Sequence, residues 1–183
     1  SFPEQNDSSW ESLLNCTQNT EEKVGLWLML ATQQPEITAY AFEQAFHISP
    51  QSPLTDLLMV REIQLLESQF HLQENRLKTY PYTPGITYEY QGWEVKQQLK
   101  ELSFRWNSLL RKHGNHLTET QHLGWAYLQH LAENDEDALE TLRQFHPKNE
   151  HIQRSKKVFQ ILVQQQLNYR DEWNENQEDR KST

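Results

Sequence analysis

The sequence predicts an all-α fold: antiparallel helical hairpins packed as an irregular bundle or a short solenoid, crossed once by an aromatic, proline-rich loop. Three observations predict it. Only 5 Gly and 7 Pro occur in 183 residues, too few for the tight turns of most all-β domains or the phosphate loops of α/β domains. Apolar residues recur at spacings of three and four along most of the chain, as in helices with one buried face. Most breaks between those segments are short, which makes consecutive helices fold back on each other.

A short helix is expected from Ser8 or Ser9 through Trp10, Leu13 and Leu14. Thr20 reads as the cap of the next helix, followed by Glu21 and Glu22 where the helix dipole favours acids. Val24, Trp27, Leu28, Leu30 and Ala31 line that helix, and Gln33-Gln34-Pro35 ends it. Pro35 suits the first turn of a third helix, carrying Ile37, Tyr40, Ala41, Ala45 and Ile48. After the Ser49–Pro53 break a long helix is expected over 54–78, with Leu57, Leu58, Val60, Ile63, Leu66, Phe70 and Leu77.

The interval 79–92 reads TYPYTPGITYEYQG, and its prolines and glycines predict a non-helical crossing loop. Helix resumes over 93–112 on Val95, Leu99, Leu102, Trp106, Leu109 and Leu110, and stops at His113-Gly114-Asn115. A further helix starts within Leu117–Thr120 and carries Leu123, Trp125, Ala126, Leu128 and Leu131. Asn134-Asp135 ends it and caps a helix over 136–145; the last helix runs over 149–169 with Ile152, Val158, Phe159, Ile161, Leu162 and Leu167. These helices are expected to form one domain, residues 1–170, with a polar tail at 171–183 expected to fray.

Hydrophobic residues make up only 36% of the chain, but 7 Phe, 6 Trp and 7 Tyr supply enough bulk for a core. The net charge of −9 argues against a whole-surface attraction to nucleic acid or anionic lipid. Cys16 is the single cysteine, so neither an intrachain disulfide nor a cysteine-based metal site is expected. The longest apolar stretch, Val24–Ala31, falls well short of the roughly 18 residues of a membrane span. The chain opens Ser-Phe-Pro-Glu-Gln without Met, which we read as a trimmed start that has lost a signal or lipid anchor. On that reading the protein is periplasmic or tethered outside the cytoplasm, with the cytoplasm as the alternative.

Phe42, Ala45 and Pro50 have the spacing of the second-helix Phe, Ala and closing Pro of a tetratricopeptide repeat. Leu123-Gly124 with Tyr127 resembles the first-helix Leu-Gly-x-x-Tyr of the same family. The resemblance covers about a third of the chain and implies a solenoid with a concave peptide-binding surface and no catalysis.

The sequence offers no recognisable catalytic or cofactor pattern. The eight histidines (His47, His71, His113, His116, His122, His130, His146, His151) lack the spacing of a ligand set, and no HExxH occurs. No G-x-S-x-G elbow or Gly-rich phosphate loop is present, and Cys16 has no His or basic neighbour in sequence. Asn15-Cys16-Thr17 matches a glycosylation sequon. Glu43, Glu62, Glu67 and Glu74 read as solvated helix faces. Two basic stretches, Lys96–Lys112 and Arg143–Lys157, are interleaved with Gln and Glu.

Tyr80, Tyr82, Tyr88, Tyr90 and Trp93 are the candidate partner-binding residues. Tyr and Trp give large contact area at low entropic cost, and Tyr88-Glu89-Tyr90 has the alternation of a short strand that could add to a partner's edge. A cap on the helical core is the competing role for the loop. The expected function is therefore a non-enzymatic adaptor that binds another protein, with no cofactor, no metal and no nucleic acid, as an accessory of a bacterial envelope assembly. Two alternatives stay open. One is an enzyme or small-ligand binder with a pocket among Trp27, Tyr40, Trp106 and Trp125; the other is a nucleic-acid binder using the basic stripe at 96–112.

Overall fold

Eight α-helices and no strand occur among the described residues: α1 (Ser8–Asn15), α2 (Thr20–Gln33), α3 (Thr38–Ile48), α4 (Pro53–Thr79), α5 (Tyr88–Lys112), α6 (Glu119–Leu131), α7 (Asp135–Gln144) and α8 (Glu150–Lys181). Single 3₁₀ turns sit at Pro35–Ile37 and Gly114–His116. The computed structural model describes the backbone of residues 8–79 and 88–181, and the side chains of 9–68, 96–114 and 116–170. The fold is all-α, and consecutive helices pack as hairpins.

The chain divides into two compact units. The first comprises residues 1–98 and 112–118, the second 99–111 and 119–183. Helix α5 supplies residues to both, and the segment after it returns to the first unit. Apolar periodicity shows that a helix has a buried face, but not which core that face joins.

In the first unit α2, α3 and α4 pack on one another. Val24, Trp27, Ala31, Ala41, Phe42, Ala45, Phe46, Leu58 and Met59 are buried between them. Trp10, Trp27 and Tyr40 stand edge-to-face in series, with centroids 4.9 and 5.6 Å apart, a preferred arrangement of ring quadrupoles. Ser52 opens α4: its Oγ accepts from Leu54 N at 3.2 Å and donates to Glu21 Oε2 of α2 at 2.7 Å. The returning segment is fixed by Thr118 Oγ1 donating to Asp56 Oδ1 at 2.8 Å, and by His113 edge-on to Phe46.

The second unit is built on the α6–α7 hairpin, with α8 laid across it. Leu99, Leu102, Trp106, Leu110, Ala126, Leu128, Ala138 and Leu142 are buried. Thr141 Oγ1 of α7 donates to the buried Gln129 Oε1 of α6 at 2.9 Å.

Several boundaries differ from expectation. Asn19, not Thr20, caps α2: its Oδ1 accepts from Glu22 N at 2.9 Å, while Glu22 Oε1 accepts from Asn19 Nδ2 at 3.0 Å and Oε2 from Gln18 N at 2.7 Å. The exchange resembles a capping box, but Glu22 reaches back to the backbone N–H of Gln18, one residue before the cap, and to the Asn19 side chain. Helix α5 begins at Tyr88 rather than Trp93, so Tyr88 and Tyr90 have helical backbone and form no strand. Residues 80–87 of the predicted loop lie outside the described residues. Helix α8 continues to Lys181, through the stretch expected to fray.

Candidate functional site

The position of α8 is set at its start and at points along it as far as Arg170. Asn149 caps it, its Oδ1 accepting from His151 N at 2.8 Å and Ile152 N at 3.4 Å. The turn before it is held by Glu119 of α6, whose Oε1 accepts from Lys148 N at 2.6 Å. One turn into the helix, Lys156 Nζ donates to Phe145 O at 2.5 Å. Val163 is fully buried against Ala138 and Leu139 of α7, with Phe159 and Leu167 packed beside them. These residues fall on one face because spacings of four and about eleven return to the same side of a helix.

A polar clamp holds α8 at Arg170. Arg170 pairs with the carboxylate of Asp135, and its Nη1 donates to Glu133 O at 3.2 Å. The other Asp135 oxygen lies 2.5 Å from His130 Nδ1. Burial, and then the positive charge of Arg170, hold the His130 imidazole below its ordinary pKa. The neutral ring therefore donates from Nδ1 to Asp135, and it packs edge-on to Phe159 at 5.6 Å. A His–Asp pair of this kind orients a base in many enzymes, but here the carboxylate is shared with Arg170. All three groups are used to join α6, α7 and α8. A cleft of about 270 Å³ beside the clamp is lined by Glu133–Asp137, Leu167 and Arg170.

The opposite face of α8 carries a second apolar row. Val158 is 59% exposed, Ile161 59%, Leu162 54% and Tyr169 63%. Lys157, Gln160, Ile161, Gln164 and Gln165 line a shallow groove of about 440 Å³ on the same helix. Single exposed apolar residues such as Leu13, Met29, Leu57 and Phe104 are ordinary on a protein surface. Four large ones in succession along one helix face are not, which makes this face the candidate surface. Among the described residues of α8 only Val163 is buried.

Tyr80 and Tyr82 lie outside the described residues; Tyr88, Tyr90 and Trp93 stand in the first two turns of α5, with side chains outside the described set. Of the aromatic residues considered for a ligand pocket, Trp27 and Tyr40 touch each other in the first unit, while Trp106 and Trp125 are buried in the second. Lys96, Lys100, Arg105, Arg111 and Lys112 are exposed, and Lys100 lies 3.8 Å from Glu133. In the other basic stretch Arg143 lies 3.8 Å from Glu140 and Arg154 3.7 Å from Glu150. His122 stacks on Phe145 at 4.6 Å, a packing role. Among the described residues no three His, Cys, Asp or Glu side chains are grouped to hold a metal ion. Cys16 is exposed. Among the described residues no helix is long and apolar enough to cross a membrane.

The outward row was missed in the sequence because Val158, Phe159, Ile161 and Leu162 were read as one stripe. The signal was available: apolar residues at four of five consecutive positions cannot all face one side of a helix.

Comparison with protein-family models, with curated proteins and with solved structures finds no match for this chain. The tetratricopeptide resemblance therefore rests on its own residues, of which Phe42 and Ala45 are buried in α3.

Proposed function

We propose that this chain is a non-enzymatic interaction protein, an adaptor that binds another protein chain through the outer face of α8. The observation that carries the reading is the row Val158, Ile161, Leu162 and Tyr169, each more than half exposed on a helix whose other face is anchored. Anchoring matters because a surface already held in one conformation loses little entropy on binding. A helix with an apolar row on its free side suits the groove or helix face of a partner. The His130–Asp135–Arg170 cluster serves the same reading by tying α8 to α6 and α7, which holds the outer face in place. The aromatic residues Tyr80, Tyr82, Tyr88, Tyr90 and Trp93 are a second contact region in this proposal, for the composition given above. The partial tetratricopeptide pattern points the same way, toward peptide or helix recognition.

The test is a photo-crosslinking amino acid placed at Leu162 or, as control, at Gln153, in the protein expressed in its native host. Discrete protein adducts at position 162, absent at 153 and lost when Val158 and Ile161 are changed to Ser, are the expected result. A folded protein that gives no adduct at position 162 overturns the assignment of this surface.

A further inference from the structure

We propose that the His130–Asp135–Arg170 cluster is an acid-opened latch on α8: a proton on His130 Nε2 leaves the Asp135 carboxylate to the imidazole, Arg170 turns out to solvent, and the turn Leu167–Arg170 comes away from α7. The latch goes beyond the interaction reading and stands without it.

One buried charge serves two partners. Oδ1 of Asp135 lies 2.5 Å from His130 Nδ1 of α6, and Oδ2 pairs with Arg170 of α8. The aspartate side chain is 2% exposed. With His130 neutral, carboxylate and guanidinium balance. A second proton on the ring leaves a net positive charge where an unbalanced charge is poorly solvated. One of the two cations must then leave.

The geometry favours the departure of Arg170. His130 is five residues from Asp135, across a turn closed by Asn134 N donating to Gln129 O at 2.8 Å and Glu133 N to His130 O at 2.9 Å. Its ring is flanked by Tyr127 of its own helix at 6.3 Å and by Phe159 of α8 at 5.6 Å. Arg170 comes from another helix, its side chain is 39% exposed, and Nη1 adds a single bond to Glu133 O at 3.2 Å. A long side chain of this kind brings its charged head to water by rotation about its stem.

The opening is confined to one end of the packed stretch. The start of α8 is held separately by Asn149, Glu119 and Lys156. Val163 is fully buried against Ala138 and Leu139. Beyond Val163 the inward side chains, as far as residue 170, are the partly buried Leu167 and Arg170. With Arg170 released, only Leu167 holds the last turn of that stretch.

The surrounding charges give the latch its sign. Asp135 from α7 and Arg170 from α8 face the ring, while Glu133 of the turn lies 3.8 Å from Lys100 of α5. In the closed form burial, and then Arg170, hold the imidazole below its ordinary value of 6.5. Once Arg170 has left, Asp135 remains and favours the charged ring. The open form therefore binds the proton more tightly, and acid shifts the population toward it. The closed form is complete above pH 6.5 and is lost as pH falls toward its own lower value. Opening also divides the outer row: Val158, Ile161 and Leu162 precede the yielding turn and Tyr169 lies in it. On the interaction reading, acid thus weakens capture of the partner.

The test uses the full chain with Cys16→Ser, spin-labelled at Gln144→Cys of α7 and Asn168→Cys of α8, both exposed positions. Pulsed electron spin resonance should give one narrow distance at pH 7.5 and a second, longer and broader population at pH 5.5. His130→Gln should keep the narrow distance at both pH values, and Arg170→Met should show the longer population at both. Circular dichroism should report unchanged helix content in wild type at the two pH values. The same distribution in wild type at both pH values, equal broadening in His130→Gln, or a narrow distance in Arg170→Met overturns the latch, as does loss of the helical signal at pH 5.5. The His130→Gln arm decides the matter even if Arg170→Met fails to fold. An unchanged distance with adducts at position 162 removes the latch and leaves the interaction reading standing; opening with no adduct there keeps the latch and removes its link to a partner.

Discussion

Arg170 of α8 closes on the carboxylate of Asp135, the first residue of α7, and the two are unequally buried: the aspartate side chain is 2% exposed and the arginine 39%. Removing the arginine therefore strands a buried negative charge, with only the neutral His130 left beside it. Arg170→Met should cost about 3 kcal/mol of stability, at the low end for breaking a buried pair from one side. Adding Asp135→Asn removes the stranded charge, so the double variant should be less destabilised than the two single losses sum to. Urea unfolding of the four proteins closes the cycle. Additive losses would mean that the two groups do not act together.

His130 gives the same clamp a pH dependence. Its imidazole is held below its ordinary value of 6.5, first by burial and then by Arg170. Near and below pH 6.5 the unfolded chain binds a proton at this residue that the folded chain resists. The stabilisation is complete above that value and is lost as pH falls from 6.5 toward the lower folded value. The groups facing the ring are Asp135, Arg170, Tyr127 and Phe159. Wild type should lose more stability between pH 7.5 and 5.5 than His130→Gln, which keeps a donor for Asp135 but does not titrate. Equal losses in the two proteins would show that His130 does not set this dependence.

Val163 and Leu162 are adjacent in sequence and opposite in role. Val163 is fully buried; Leu162 is 54% exposed. Val163→Ala removes two buried methyls and leaves a cavity, and should cost about 2 kcal/mol. Leu162→Ala should change stability by no more than about 0.5 kcal/mol, while weakening the proposed association with a partner. Thermal unfolding of the purified chain separates the two effects. A large loss at Leu162 under those conditions would mean that this side chain belongs to the core.

The contrast shows what was legible in the sequence. Helix existence was legible wherever a three-four pattern ran long, as in α2, α4 and α6, because burial of one face imposes that period. The start of α8 near Asn149 was legible from the break in pattern at Pro147, although the capping role of Asn149 was not read. The start of α2 was misplaced by one residue because Asn19 and Thr20 are both good caps, and only the partner Glu22 decides between them. The candidate surface was not legible as such. Its apolar residues merged with the inner row of α8, and the clamp on the far side depends on Arg170 meeting Asp135 from 35 positions away. The tail from Asp171 was read as fraying because it is charged and polar; the helical backbone of α8 runs to Lys181.

The turn from α6 to α7 carries the last expectation. Asn134 N donates to Gln129 O at 2.8 Å and Glu133 N to His130 O at 2.9 Å, the paired bonds of a Schellman ending. In that motif the residue after the cap adopts left-handed backbone, and Glu133 does so with φ 65°. Glycine takes this conformation without the Cβ clash that glutamate bears. The Glu133 side chain lies 3.8 Å from Lys100, about half exposed on both sides. The Arg170 bond to this residue goes to the backbone oxygen, which any substitution keeps. Glu133→Gly should therefore stabilise the protein by about 0.5 to 1 kcal/mol, whereas Glu133→Val, with a branched Cβ, should destabilise it by more than that. Chemical denaturation of the two variants beside wild type checks the order. If glycine proves the less stable, the carboxylate of Glu133 contributes more to the second unit than its exposed contact with Lys100 accounts for.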